Sequence, residues 1–349
     1  MVLFLNIIQT SETLSFLGSI GLVFLMFIAG TEIKISALKN LGKKIIFIAF
    51  LGGIIPGIIG FLIGLIFNYH LIASSIIGII FISSAIAVII PSLESNNIIK
   101  TDLGKAIISS VVLLDFSSLL FLSLIIQFTN PKATVPLYLF FPIIIFLALF
   151  LKFIVPKMES AYKEGKLGRA LFESELRFIV SILLLSVIIF SSIGLHSILA
   201  GFITGVILAD SIKGRVSEKI RTLSYGLFIP VFFVMLGVEI NLSIFSSIEN
   251  VLLVISIIFG LIISKIFSGW LGARIAGFNN KASIINGISM IPQLSASLAA
   301  AYAAFEFNII SPELMASFIF LSIITTLISP ILLKKAVDFS RKTDYELKK

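Results

Sequence analysis

Residues 30–36 read Gly30-Thr31-Glu32-Ile33-Lys34-Ile35-Ser36, and residues 237–243 read Gly237-Val238-Glu239-Ile240-Asn241-Leu242-Ser243. The runs just upstream, Phe24-Leu25-Met26-Phe27 and Phe233-Val234-Met235-Leu236, also match. Each motif closes a long apolar segment. The two segments lie seven spans apart, an odd number, so one copy ends on one side of a membrane and the other on the opposite side. That is an inverted-topology repeat, the construction of many secondary transporters, whose sites lie near the bilayer midplane.

Composition makes lipid the solvent. Of 349 residues, 58% are hydrophobic and 13% charged, with a mean hydropathy of +1.16. A soluble domain carries about 25% charged residues. A cytosolic enzyme, a disulfide scaffold and a disordered chain are thereby excluded. There is no cysteine and only two histidines, so thiol chemistry and a histidine-rich metal centre are excluded as well. No cofactor is expected, and no nucleic-acid partner.

A membrane helix needs about 20 apolar residues. Breaking the chain at polar clusters predicts an all-α polytopic protein of about eleven spans: 11–30, 45–67, 71–92, 103–128, 135–155, 176–193, 196–211, 225–241, 250–277, 281–304 and 313–334. Of the 26 Lys and Arg residues, 24 fall in alternate loops and the C-terminal tail, and only Lys132 falls in the opposite set. The positive-inside rule makes the first set cytoplasmic, with the N-terminus outside and the C-terminus inside. The net charge of +8 is thus a topology signal, and contact with anionic headgroups is its second use.

Two charges lie near the middle of spans: Asp115 in span four and Lys265 in span nine. A midplane charge costs at least about 2.5–3.5 kcal/mol and is a functional candidate by default. The competing reading is a structural ion pair, or for Lys265 a snorkelling or bracing role. The repeat is expected to continue from Ile89-Ile90-Pro91-Ser92-Leu93 in span three to Met290-Ile291-Pro292-Gln293-Leu294 in span ten. Pro91 and Pro292 then mark broken helices, whose free carbonyls and dipoles suit an ion. The second copy has two spans ahead of its Gly-x-Glu segment and the first has none. A complete repeat calls for about two more spans upstream of Met1.

These motifs resemble the monovalent cation:proton antiporter-2 family of sodium/proton exchangers, over about Leu17 to Leu333. Gly21 to Ile33 looks like its Gly-x-Glu helix. Ser84 with Ala87-Val88-Ile89-Ile90-Pro91-Ser92-Leu93 is similar to its broken-helix motif. Ala200-Gly201-Phe202-Ile203-Thr204-Gly205 and Pro230 to Gly237 resemble two further helices. The resemblance implies a core bundle of spans two to four and nine to eleven. It also implies a scaffold with spans one, seven and eight that usually forms homodimers, and a linker in span five. The organisation expected is a first repeat over 11–128, a linker helix over 135–155, a second repeat over 176–334 and a cytoplasmic tail over 335–349, in the plasma or inner membrane.

By the same resemblance Asp115 is the ion- and proton-binding aspartate; oxygen ligands suit Na⁺, and Ser84, broken-helix carbonyls and water are expected to complete the set. Lys265 is the core lysine, and Gln293 stands in the altered helix-ten motif. The residue before Asp115, acidic or amide in the family, is Leu114 here. The chain is expected to exchange Na⁺, or else K⁺ or Li⁺, for protons. The alternatives are a potassium-efflux antiporter, an N-terminally truncated regulatory protein, and a sodium-coupled organic-anion symporter. A buried carboxylate suits exchange, because desolvation favours its protonated form and a cation favours its charged form.

With no native cysteine, single-cysteine labelling reads the topology directly. Lys100→Cys is expected to react with an impermeant maleimide only in inverted vesicles, and Glu306→Cys only in right-side-out ones. Labelling of both from one side overturns the assignment.

Overall fold

The computed structural model describes residues 12–32, 42–129, 174–192, 197–209, 215–239 and 247–346, with isolated positions 142, 145, 146, 149, 153 and 212. Its helices are α1 (Glu12–Thr31), α2 (Lys43–Ile66), α3 (Leu71–Ile82), α4 (Ile86–Ser95), α5 (Asp102–Thr129), α6 (Ser174–Ser192), α7 (Ser197–Leu208), α8 (Arg215–Leu223), α9 (Ile229–Glu239), α10 (Ile248–Ile275), α11 (Asn280–Ser289), α12 (Ser295–Glu306) and α13 (Pro312–Glu346). A π-helical turn, Ser224–Phe228, joins α8 to α9. No strand occurs among the described residues.

Eight helical stretches are long and apolar enough to cross a membrane among the described residues, and α7 is a shorter apolar helix. This is a multi-pass membrane protein. The difference from eleven expected spans has local causes. Span seven has only 12 helical residues, and span ten is cut into halves of 10 and 12. Most of span five and the whole Gly194–His196 break lie outside the described residues, as do Ile33–Ser36 and Ile240–Ser243 of the repeated motif. The tail expected after 334 continues α13 as helix to Glu346.

The chain forms two compact units. One comprises 1–35 and 126–240, the other 36–125 and 241–349. In the first, Phe24 stacks on Phe228 with centroids 4.4 Å apart, and Phe24, Phe27 and Ile28 pack with Ile182, Leu183 and Leu208. Small residues set how closely helices approach. The Cα of Gly30 lies 3.0 Å from where a β-carbon on Gly205 would stand, and that β-carbon would also strike Phe27 backbone. Glu32, at the end of α1, accepts a charge-assisted bond from Arg221 at 3.1 Å. Burial pushes its carboxyl upward, and Arg221 opposes that shift.

The second unit holds α2 to α5 and α10 to α13, and its two halves repeat each other. Helix α2 ends in a left-handed cap at Asn68, where the Tyr69 N–H returns to Gly64 O. Helix α10 ends likewise at Gly277, where the Phe278 N–H returns to Ala273 O. The next helices both start on a side-chain cap, His70 accepting from Ala73 N and Asn279 from Ala282 N. Asn97 and Asn308 close α4 and α12 in the same left-handed way. Thr101 and Ser311 cap the starts of α5 and α13, through Gly104 N and Leu314 N. These pairs stand 209 to 211 residues apart.

That register corrects the expected one. The spacing of 207 between the Gly-x-Glu motifs and 201 between the two proline motifs does not extend through the bundle. Pro91 does not break its span either. It lies inside α4, and the break is the extended segment Ser83-Ser84-Ala85, six to eight residues upstream. Pro292 does lie in the second break, between α11 and α12. Its fixed ring removes a donor and bars Ile291 from helical geometry.

Gly205→Val is expected to cost about 1–3 kcal/mol through overpacking. Gly226→Ala, where a β-carbon meets nothing within 4 Å, is expected to be neutral. Thermal unfolding in detergent checks both, and equal melting temperatures refute the close-packing argument.

Candidate functional site

Unwound backbone inside a membrane must find its hydrogen bonds within the protein. The two breaks do so largely by serving each other. The Ala85 N–H donates to Pro292 O at 2.6 Å, and the Ser84 hydroxyl donates to Met290 O at 2.9 Å. Gln293 is fully buried, and its amide works as a fork. Its Nε2 donates to Ser83 O at 2.6 Å, and its Oε1 accepts from Ser83 Oγ at 2.9 Å and from Ser297 Oγ at 2.5 Å. No proline stops the helix at Ser83 and Ser84. Side chains of this type compete for backbone partners, and Ile80 O, 3.1 Å from Ser83 Oγ, is the alternative acceptor for its single hydrogen.

Asp115 comes to this crossing from the middle of α5 and is 6% exposed. Its Oδ1 accepts the Ser84 N–H at 2.8 Å. The repeat-related contact is the Gln293 N–H donating to Thr325 Oγ1 at 3.2 Å. Thr326 Oγ1 closes the same segment by donating to Gln293 O at 3.2 Å. Asp115 and Thr325 are thus counterparts, one carboxylate and one hydroxyl, each receiving the backbone N–H of the break in its own half.

Lys265 comes from the middle of α10 with no exposure to solvent. Its Nζ donates to Ile82 O at 2.8 Å and to Ser84 Oγ at 3.0 Å. It stands within electrostatic reach of Asp115. Ser84 therefore links the two charges, by its N–H to the carboxylate and by its hydroxyl to the ammonium. Leu114 is turned away from this array. It lies over Gly53, where a β-carbon would stand 2.8 Å from its Cδ2. The position that the resemblance pairs with the core lysine is filled by an apolar contact, and the lysine goes to the break.

Ser84, Asp115, Lys265, Pro292 and Gln293 meet here, and Pro91 does not. Residues that the sequence reading did not single out are Ser297, Thr325 and Thr326. The corrected repeat register is the signal that finds Thr325, since it places Thr325 opposite Asp115.

A polytopic fold in which two broken helices cross beside a buried carboxylate is that of a secondary transporter. Comparison with known proteins gives the family. Residues 2–337 match "Sodium/hydrogen exchanger, transmembrane". The chain is 31% identical to "Probable Na(+)/H(+) antiporter 3" of Methanocaldococcus jannaschii, covering 95% of this chain and 85% of that protein. It is 29% identical to the "Na(+)/H(+) antiporter" of Enterococcus hirae, over 91% and 83%. The solved sodium proton antiporter MjNhaP1 from Methanocaldococcus jannaschii superposes with a TM-score of 0.65 at 19% identity, over 94% and 86% of the two chains. The chain belongs to the sodium/hydrogen exchanger family, whose members are transporters rather than catalytic enzymes.

Gln293→Leu keeps the volume and removes the fork. It leaves Ser83 O and Ser297 Oγ without this partner, at roughly 1–3 kcal/mol for a buried group left unsatisfied. A drop of several degrees in melting temperature in detergent is expected. An unchanged value refutes the role of the fork.

Proposed function

We propose that the chain exchanges a monovalent cation, Na⁺ in the first instance, for protons, with Asp115 holding cation and proton in turn. The observation that carries this reading is the buried Asp115 carboxylate at the crossing, 2.8 Å from the Ser84 N–H. The Na⁺/H⁺ antiport for which its relatives are named agrees with it.

The roles follow from donors and acceptors. A small cation stripped of water needs oxygen ligands. Asp115 supplies the charged one. The Ser84 hydroxyl gives its hydrogen to Met290 O and accepts from Lys265, and one lone pair remains for a cation. Ile82 O and water complete the set. Lys265 now donates to Ile82 O and Ser84 Oγ, two of the oxygens that the cation uses. It stabilises the empty break and yields those oxygens when the cation arrives. Protonation of Asp115 releases the cation, because a neutral carboxyl no longer offsets a desolvated positive charge. One titrating carboxylate gives one proton per cation, an electroneutral exchange.

Purified protein in proteoliposomes tests this. Wild type is expected to drive Na⁺-dependent proton flux, and Asp115→Asn to lose it to background. Full flux in Asp115→Asn defeats the site assignment. A potassium–valinomycin potential is expected to leave the wild-type rate unchanged, and potential-driven exchange defeats the electroneutral stoichiometry.

A further inference from the structure

Helix α4 is a rod of 10 residues with the candidate site at one end. Just ahead of its first turn, the Ser84 N–H holds Asp115 and the Ala85 N–H holds Pro292 O. Its far end carries the orphan carbonyls of any helix C-terminus. Most are met locally: Asn97 N donates to Glu94 O, Ile98 N to Leu93 O, and both Ser95 Oγ and Asn96 Nδ2 to Ser92 O. The Asn96 carbonyl is met from elsewhere in the chain. Arg341 Nη2 donates to it at 2.6 Å, from a residue 245 positions away.

Arg341 does not hang on a loose tail. Leu333 and Val337 are 1% and 2% exposed, and together with Arg341 they recur every four residues along α13. Such spacing puts all three on one helix face, and α13 packs against α4. Two apolar anchors therefore hold the guanidinium against the C-terminal end of α4, where a cation is favoured by the helix dipole.

We propose that Arg341 is a positioning residue for the exchange site. By pinning the Asn96 end of α4 it fixes the rod along its axis, and so sets how closely the Ser84 N–H meets Asp115. Apart from the one bond that Pro91 cannot donate, the backbone bonds of α4 run along its length and transmit an axial shift with little compression. Loss of the pin lets the Ser84 end retreat, which weakens cation binding and leaves the exchange step intact. The inference rests on Asp115 as the cation site.

The test is Na⁺-dependent proton flux in proteoliposomes of the full chain. Arg341→Ala is expected to raise KM for Na⁺ roughly fivefold, in keeping with the loss of a charge–dipole contact, and to leave kcat within about twofold. Arg341→Lys, which keeps a charged donor, is expected to restore most of the affinity. Arg341→Gln, which keeps a neutral donor, is expected to fall between them and serves if the alanine variant fails to fold. Lys335→Ala removes a tail charge without this contact and is expected to behave as wild type. An unchanged KM in Arg341→Ala and Arg341→Gln overturns the proposal. So does a loss confined to kcat, or an equal KM change in Lys335→Ala, which marks a general effect of tail charge. If Asp115→Asn retains full flux, the site reading fails first. If Asp115→Asn is inactive and the Arg341 variants keep a normal KM, only the positioning role fails.

Discussion

Everything in the second unit depends on one constraint: backbone unwound within a bilayer must be satisfied by the protein itself. An unmet N–H or C=O in a buried site costs roughly 1–3 kcal/mol, and two breaks present several at once. The crossing answers with reciprocal bonds. Ala85 gives to Pro292, Ser84 to Met290, and the Gln293 fork to Ser83. Asp115 is one of these solutions, since it takes the Ser84 N–H. A group that holds the break together is therefore also the group proposed to bind the ions.

The two halves share caps, turns and break positions, and the charges are what they do not share. Asp115 faces Thr325 in the repeat, and Lys265 falls opposite Pro56 of α2. A symmetric pair of carboxylates would put two negative charges beside one crossing, each raising the cost of ionising the other. With a hydroxyl in the second position, the break is closed without charge. The fold supplies two equivalent positions, and the sequence charges only one of each pair.

Eight of the spans and the two charges at the crossing were legible because lipid imposes a loud signal. Twenty apolar residues cannot be mistaken for a loop, and Asp115 and Lys265 stand out when so few charges survive. The break in the first half was not legible. Proline is conspicuous, and Pro91 drew attention six residues past the true break. Ser83 and Ser84 act more quietly, by side-chain competition and by bonds to residues about 210 positions away. The repeat register was hidden for a related reason. Its markers are caps, and caps tolerate exchange: Asn68 for Gly277, His70 for Asn279, Thr101 for Ser311. Matching by letters favours the prolines, whereas matching by hydrogen bond finds the repeat.

The double duty of Asp115 has a consequence for coupling. An ionised carboxylate is a stronger acceptor than a protonated one. On the exchange reading, a cation or a proton on Asp115 alters the pull on Ser84 N–H, and with it the seating of the first break on the second. Lys265 responds to the same change, because its partners, Ile82 O and Ser84 Oγ, flank that N–H. The occupancy of the site is thereby written into the backbone that connects two half-helices, without a relay of intervening side chains. An exchanger that must move only when loaded needs such a link between ligand and frame, and on that reading the 2.8 Å hydrogen bond from Ser84 to Asp115 supplies it.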